Sequence, residues 1–357
     1  MLHGRLNKNE KLVLYGLVKY PLFNDRELGL KIKLKMTTVT AIKNRLKKNG
    51  YYYTVRIPVL QNLGCEILMA SLLKFNPIKG NDDSLKAHEE VIGEKVPEII
   101  FSITNKDLGF CIGISKNFTE LYNGLTNMER VYRNHEIVDT HPPTYHFFPF
   151  HFSKIYNFFD YAPIIRHTFK VSVVGEESEP SAIEMPKTDL TKLSNVEKRV
   201  LFGLIKYPDI PDSKIADNIG VTRQVVSKLK KSFETEGIIK TLRIPNLKKL
   251  GFEILAVSHF RHNPTISTDN QEKAIKQVIT DFPQIFMIST NLESLIISIS
   301  RDYTEFQELK NIAHSELKEK KYLIDDPQID IFSIPKLNTI VEHNYASLVE
   351  KILNLNQ

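Results

Sequence analysis

The sequence predicts an α+β chain that builds the same two-part unit twice, a three-helix module followed by a sheet-and-helix module. Two observations carry this. Glu10-Lys-Leu-Val-Leu-Tyr-Gly-Leu-Val-Lys-Tyr-Pro21 returns as Glu197-Lys-Arg-Val-Leu-Phe-Gly-Leu-Ile-Lys-Tyr-Pro208, identical at nine of twelve positions, and the offset of 187 continues without a gap to Leu63-Gly64 and Leu250-Gly251. Within each copy the apolar period changes from helical to strand-like near that Leu-Gly pair, which marks a junction between two kinds of module.

The chain of 357 residues is longer than one hydrophobic core sustains, so several domains are expected. With 42% hydrophobic and 25% charged residues it falls among globular rather than disordered proteins. A formal charge of +6 and a pI near 8.9 favour a polyanionic partner, weakly when averaged over the chain. Only Cys65 and Cys111 are present, both in strand-like apolar runs, which excludes a disulfide framework or a cysteine zinc site. The polar start and the absence of an uncharged apolar run of 18 residues lead to the expectation of a soluble, cytoplasmic protein with no membrane partner.

The first helix has Leu12, Val13, Leu17 and Val18 at helical spacing and stops at Pro21. Asn24 or Asp25 caps a second helix with Leu28 and Ile32 facing inward. A third helix carries the buried stripe Val39, Ile42 and Leu46 and stops at Gly50; its second copy carries Val226, Leu229 and Phe233 and stops at Gly237. Two helices joined by a tight turn make a helix-turn-helix, and the β-prone runs Tyr51–Arg56 and Ile238–Arg243 supply the strand of a wing. In the second copy Phe252–Phe260, Glu272–Phe282, Ile285–Ser289, Leu295–Ser300, Tyr303–Leu317 and Ile329–Ile334 then run β-α-β-β-α-β. The first copy repeats this from Cys65 to Phe148, with its first helix at Ser84–Ile92. The fold class expected is therefore a tandem repeat of a winged helix-turn-helix followed by a ferredoxin-like βαββαβ domain. The boundaries expected are 1–58 and 59–174 for the first copy, a polar linker at 175–190, 191–245 and 246–339 for the second copy, and a C-terminal helix at 340–357 without a counterpart.

The run from Glu236-Gly237-Ile238-Ile239 through Leu242-Arg243-Ile244-Pro245 to Leu250-Gly251-Phe252-Glu253-Ile254-Leu255 resembles the Lrp/AsnC, or feast/famine, family of regulators. The resemblance covers both copies. It implies a DNA-binding winged helix joined to a βαββαβ effector domain, working as a pair. Family members usually carry one unit per chain, so this chain is expected to act as a covalent pseudo-dimer. The family often has a Gly and an Asp in the turn between the middle strands, near its amino-acid effector. Here that turn is Asn105-Lys106-Asp107-Leu108-Gly109 in one copy and Asn291-Leu292-Glu293-Ser294 in the other, a departure from the pattern.

The charge placement points to double-stranded DNA as partner. Lys31, Lys33, Lys35, Lys43, Arg45, Lys47 and Lys48 crowd residues 31–50 without a single acid. The outward residues of the third helix, Thr37, Thr38, Thr40, Ala41 and Asn44, suit base edges, as do Arg223, Gln224, Ser227 and Lys228 in the second copy. Lys230 and Lys231 are expected on phosphates. Arg56 and Arg243 either touch the DNA backbone or anchor the wing to a first helix. A homodimer and a small-molecule effector are further candidate partners.

Histidines form two groups, His135, His141, His146 and His151 in an aromatic-rich stretch, and the pair His259 and His262. Their spacing matches no zinc template, and packing is the plainer role. No paired-carboxylate arrangement, phosphate loop or nucleophile elbow is visible, so neither a cofactor nor a catalytic residue is expected. The rival is an enzyme: some Lrp-like proteins are sirohaem decarboxylases built from pairs of related subunits, and the histidine-rich stretch is the feature that fits them. The sequence reading favours a transcription regulator and no enzyme.

Overall fold

The computed structural model describes residues 6–76, 96–138, 142–171, 173, 183 and 193–355. The expected helix at 84–92, most of the linker and His141 lie outside them. In chain order the elements are α1 (Lys8–Lys19), α2 (Asp25–Ile32), α3 (Met36–Lys48), β1 (Tyr52–Pro58), β2 (Ile67–Lys74), β3 (Ile99–Thr104), β4 (Leu108–Ser115), α4 (Phe118–Asn134), β5 (Thr144–Pro149), β6 (Lys154–Phe158) and α5 (Ala162–Phe169). The second half supplies α6 (Asn195–Lys206), α7 (Asp212–Ile219), α8 (Arg223–Thr235), β7 (Ile239–Pro245), β8 (Ile254–Arg261), α9 (Thr268–Asp281), β9 (Gln284–Ser289), β10 (Glu293–Ser300), α10 (Tyr303–Glu319), β11 (Gln328–Ser333), β12 (Asn338–Val341) and α11 (Ala346–Leu353). The chain is thus α+β, with winged helix-turn-helix and βαββαβ modules in tandem. No described helix is long and apolar enough to cross a membrane.

Local chemistry explains the three-helix modules. Asn7 with Glu10, Asn24 with Glu27 and Ser194 with Glu197 form reciprocal capping boxes that satisfy the first amides of α1, α2 and α6. The glycine in the repeated first-helix motif lets the second helix come close. A Cβ at Gly16 would lie 2.7 Å from Leu28 Cδ1, and one at Gly203 3.0 Å from Ile215 Cγ2. Asp25, in the first turn of α2, clamps the third helix: its carboxylate accepts from Thr40 Oγ1 at 2.7 Å and from Lys43 Nζ at 2.7 Å. Asp212 does the same for Ser227 and Lys230, at 3.3 Å each. Partial burial pushes the Asp25 carboxyl up, but the Lys43 and Thr40 hydrogen bonds outweigh it and hold the group below its ordinary pKa.

The two compact units are not the two sequence repeats. The first unit joins Met1–Thr54, Phe152–Ile183 and Leu242–Pro335; the second joins Val55–His151, Glu184–Thr241 and Lys336–Gln357. Each winged helix therefore shares a unit with the βαββαβ module of the other repeat. The crossing points lie within the wing strands. β1 and β7 form a two-stranded sheet, with Asn246 N donating to Tyr51 O at 2.8 Å in the first unit and Val59 N to Ile238 O at 2.9 Å in the second. Arg56, 6% exposed, donates from Nη1 to the carbonyl of Leu204 at 3.0 Å in the second unit. Arg243, half-buried, donates to the carbonyl of Leu17 at 3.3 Å in the first. Both acceptors lie in the last turn of a first helix, where carbonyls lack helical partners and a cation suits the helix dipole.

Each unit contains a five-stranded antiparallel sheet. The first has the order β11-β8-β10-β9-β6 and the second β12-β3-β4-β2-β5. Four strands of each are the expected ferredoxin-like set; the fifth arrives from elsewhere in the chain. β6 pairs with β9, and α5 packs on α1 and β9, all within the first unit. β12 pairs with β3, and α11 packs on α6, all within the second. The C-terminal segment thus has a counterpart after all, offset by 184: Tyr161-Ala162 opens α5 as Tyr345-Ala346 opens α11, and Phe159 and His343 before them both take positive φ, 54° and 52°. It was expected to be helical from Ile340, but Asn338–Val341 is a strand because it completes a sheet edge. Polar contacts seat both helices. Lys351 bridges Glu98 and Glu120, and His167 lies 3.6 Å from Glu305, the counterpart of Glu120.

Helices α9 and α10 cover one face of the first sheet over Phe260, Val278, Met287, Ile296 and Leu309; α4 covers the second over Met69, Cys111, Leu125, Met128 and Tyr132. Cys65 and Cys111 are buried free thiols, pushed up to about 12 by burial, as suits cysteines that serve as small hydrophobes.

Two outcomes follow for stability. Arg56→Ala leaves a buried carbonyl unpaired and is expected to cost about 2–3 kcal/mol in urea unfolding, with Arg243→Ala costing less because that side chain is less buried. Because the Asp25 pKa is depressed in the folded state, its clamp contributes fully above the ordinary value of 3.8 and is lost as pH falls through the lower folded value. Melting temperatures measured from pH 6 down to 3 should fall more steeply for the native chain than for Asp25→Asn.

Candidate active site

The residues first expected to meet DNA are divided by the structure. Lys35, Thr37, Ala41, Asn44, Lys47 and Lys48 are exposed along α3 and Thr38 is half-buried; Arg223, Gln224, Ser227, Lys228 and Lys231 are exposed on α8. Thr40, Lys43, Ser227 and Lys230, however, engage Asp25 and Asp212, so their polar groups hold helix to helix. Arg56 and Arg243 take the anchoring alternative. Part of the basic run is therefore structural.

Chemistry gathers on the first unit's sheet instead. His259 on β8 pairs in register with Leu295 on β10, and Arg261 with Glu293, so His259, Arg261 and Glu293 share the face opposite α9 and α10. On this face His259 Nε2 lies 2.7 Å from Glu293 Oε2, with the imidazole 8% exposed. The 34-position separation between them is spanned by the register of two neighbouring strands, which a motif search along the chain does not reveal. A carboxylate against an imidazole fixes the orientation of the ring, the arrangement of a positioned acid–base group. Arg261, whose side chain is 57% exposed, holds Asp325 at 2.8 Å and places a guanidinium on the same strand, two residues on. Together they offer a proton donor and a cationic group suited to a carboxylate.

The second unit does not repeat this. Leu72 on β2 and Leu108 on β4 stand where the first unit has His259 and Glu293. Its histidine on the corresponding face is His146 on β5, paired in register with Ala70 and 9% exposed. His135 caps the end of α4 and His151 follows β5, both exposed, so among the described residues that histidine-rich stretch is dispersed. The two sheets carry different chemistry on the same scaffold.

No sequence-family description matches the chain, and no curated protein does. Solved structures do. The siroheme decarboxylase NirDL is 10% identical with a TM-score of 0.52, over 98% of this chain and 99% of its own. The same enzyme in co-complex with an iron-uroporphyrin III analogue gives 10% and 0.51, over 98% and 100%. An AsnC family transcriptional regulator from Agrobacterium tumefaciens is 14% identical with a TM-score of 0.33, over 39% of this chain and 90% of its own. The whole-chain likeness shows that this chain shares its tandem fold with that enzyme. It also corrects two expectations from sequence. A protein that this chain resembles from end to end is an enzyme, and with that the transcription-regulator reading and the expectation of no enzyme are overturned.

Proposed function

We propose that this chain is a decarboxylase of an iron tetrapyrrole of the sirohaem type. The observation that carries the proposal is the tandem architecture shared over nearly its whole length with a siroheme decarboxylase. The polar set on the first unit's sheet supplies chemistry suited to the reaction. In this scheme Arg261 pairs with a carboxylate of the substrate. The bond between that carboxylate and its carbon breaks, carbon dioxide leaves, and the electron pair stays on the carbon, delocalised toward the macrocycle. His259 delivers a proton to that carbon, and Glu293 holds the ring in place. The second unit, with Leu72 and Leu108 at the matching positions, carries no equivalent acid there. Its role is to complete the paired architecture while one sheet performs the chemistry.

The test is anaerobic incubation of the purified chain with sirohaem, followed by mass spectrometry of the tetrapyrrole. The expected product lacks one or more carboxyl groups as carbon dioxide. His259→Gln should slow its formation by about 10²-fold or more, with Glu293→Gln slowed less and the circular dichroism of both unchanged. Unaltered sirohaem after prolonged incubation, with no change in its absorption on mixing, would overturn the proposal.

A further inference from the structure

The turn between α2 and α3 of the first three-helix module alternates apolar and basic residues, Leu30-Lys31-Ile32-Lys33-Leu34-Lys35-Met36. Ile32 is buried and supports the turn from beneath, whereas Leu30 is 76% and Met36 51% exposed, with Lys33 and Lys35 exposed between them. The two helices meet closely here: the Leu34 amide donates to the Gly29 carbonyl at 2.9 Å, and a Cβ on Gly29 would lie 3.5 Å from Met36 N. Both large apolar side chains therefore flank one tip. Leu22, 58% exposed, lies in the turn before α2. That turn is drawn to the end of α2 by Tyr20, which stacks on Phe23 at 4.9 Å and carries Lys31 Nζ 5.6 Å from its ring centre.

None of this is demanded by the fold. At the 187-residue offset the second module has Asp209, Asp217 and Arg223 in place of Leu22, Leu30 and Met36, and Asn218, Gly220 and Thr222 in place of Lys31, Lys33 and Lys35. The same helix-turn-helix thus forms without a large apolar or lysine side chain at any of these positions. Lys33 is the most telling. Its backbone takes the left-handed conformation that ends α2, φ 58°, and Gly220 fills the equivalent place at φ 68°. A glycine accepts that geometry at no steric cost and a lysine does not, so the charge is held at the tip against the preference of the backbone. The acids of α2 are engaged within the module, Asp25 on Thr40 and Lys43 and Glu27 on the Asn24 amide.

We propose that this tip of the first module docks on the surface of a bilayer that carries anionic phospholipids. Leu22, Leu30 and Met36 enter the boundary between headgroups and acyl chains, and Lys33 and Lys35 meet headgroup phosphates, the two signals that together give stable peripheral attachment. No described helix crosses a bilayer, and attachment of this kind requires none. Charge complementarity selects an anionic partner, and the exposed leucines and methionine select among anionic ones. Duplex DNA would take the lysines and leave Leu30 and Met36 in water, whereas a lipid interface accommodates both.

Flotation of the full chain with vesicles of phosphatidylcholine alone, and of phosphatidylcholine with phosphatidylglycerol in equal parts, tests this. The chain should float with the anionic vesicles and not with the neutral ones, and added salt should weaken the attachment. The paired change Leu30→Asp with Met36→Arg installs the second module's residues and keeps the net charge; it should lower vesicle affinity by about tenfold or more, with the melting temperature unchanged. Lys33→Gly with Lys35→Thr should lower it about fivefold for each lysine removed. Equal flotation with neutral vesicles would show apolar adhesion alone, and undiminished attachment of a folded Leu30→Asp and Met36→Arg variant would show charge alone. Either overturns the proposal, as does the absence of flotation with both compositions. So does retardation of a mixed-sequence DNA duplex that persists in excess anionic vesicles with no chain floated, which would make the tip a nucleic-acid surface. Should the paired variant not fold, the two vesicle compositions with the native chain decide.

Discussion

A buried guanidinium meeting the open end of a helix is the contact on which this architecture depends. Arg56 leaves one repeat on a wing strand and binds the Leu204 carbonyl in the first helix of the other; Arg243 returns the arrangement at Leu17. Neither charge is placed on a whim of the surface. A guanidinium at 6% exposure needs a fixed acceptor, and the last turn of a helix offers carbonyls that its own backbone leaves unpaired. The exchange of modules between repeats is therefore coupled to a specific polar requirement as well as to apolar burial.

On that shared frame the two copies have kept their scaffolding and parted in their chemistry. The Asp25 and Asp212 clamps, the capped first helices, the added edge strands and the helices behind them recur in both. The interior faces of the sheets do not. One carries His259 with Glu293 on one side and His262 with Ser294 on the other; the matching positions of its sister are Leu72, Leu108, Phe75 and Gly109. Duplication within one chain allows this, since each copy can change without imposing the same change on its partner.

Much of the fold was legible because its signals are local. Capping residues, helical stripes and the Leu-Gly junction are read within a dozen positions, and the 187-residue offset projects each from one copy onto the other. What escaped depends on contacts between distant segments. The counterpart of the C-terminal helix was hidden because Tyr161-Ala162 and Tyr345-Ala346 preserve little beyond a bend and a start signal. Within the basic run of 31–50 charge is visible in sequence but its partners are not: Asp25 reaches Lys43 across the turn between helices. The His259 and Glu293 pair needed the β8 and β10 register, and no spacing rule along the chain announces a diagonal neighbour.

The interleaving of the repeats bears on how the polypeptide comes into being. The three amino-terminal helices share their unit with residues from 242 onward, so as the chain leaves the ribosome they must wait for most of the message to be translated. At about 5–20 residues per second that interval lasts on the order of tens of seconds. Over that interval α5, made earlier, is available to cover α1, and the remaining contacts of the unit wait until the last third of the chain is synthesised.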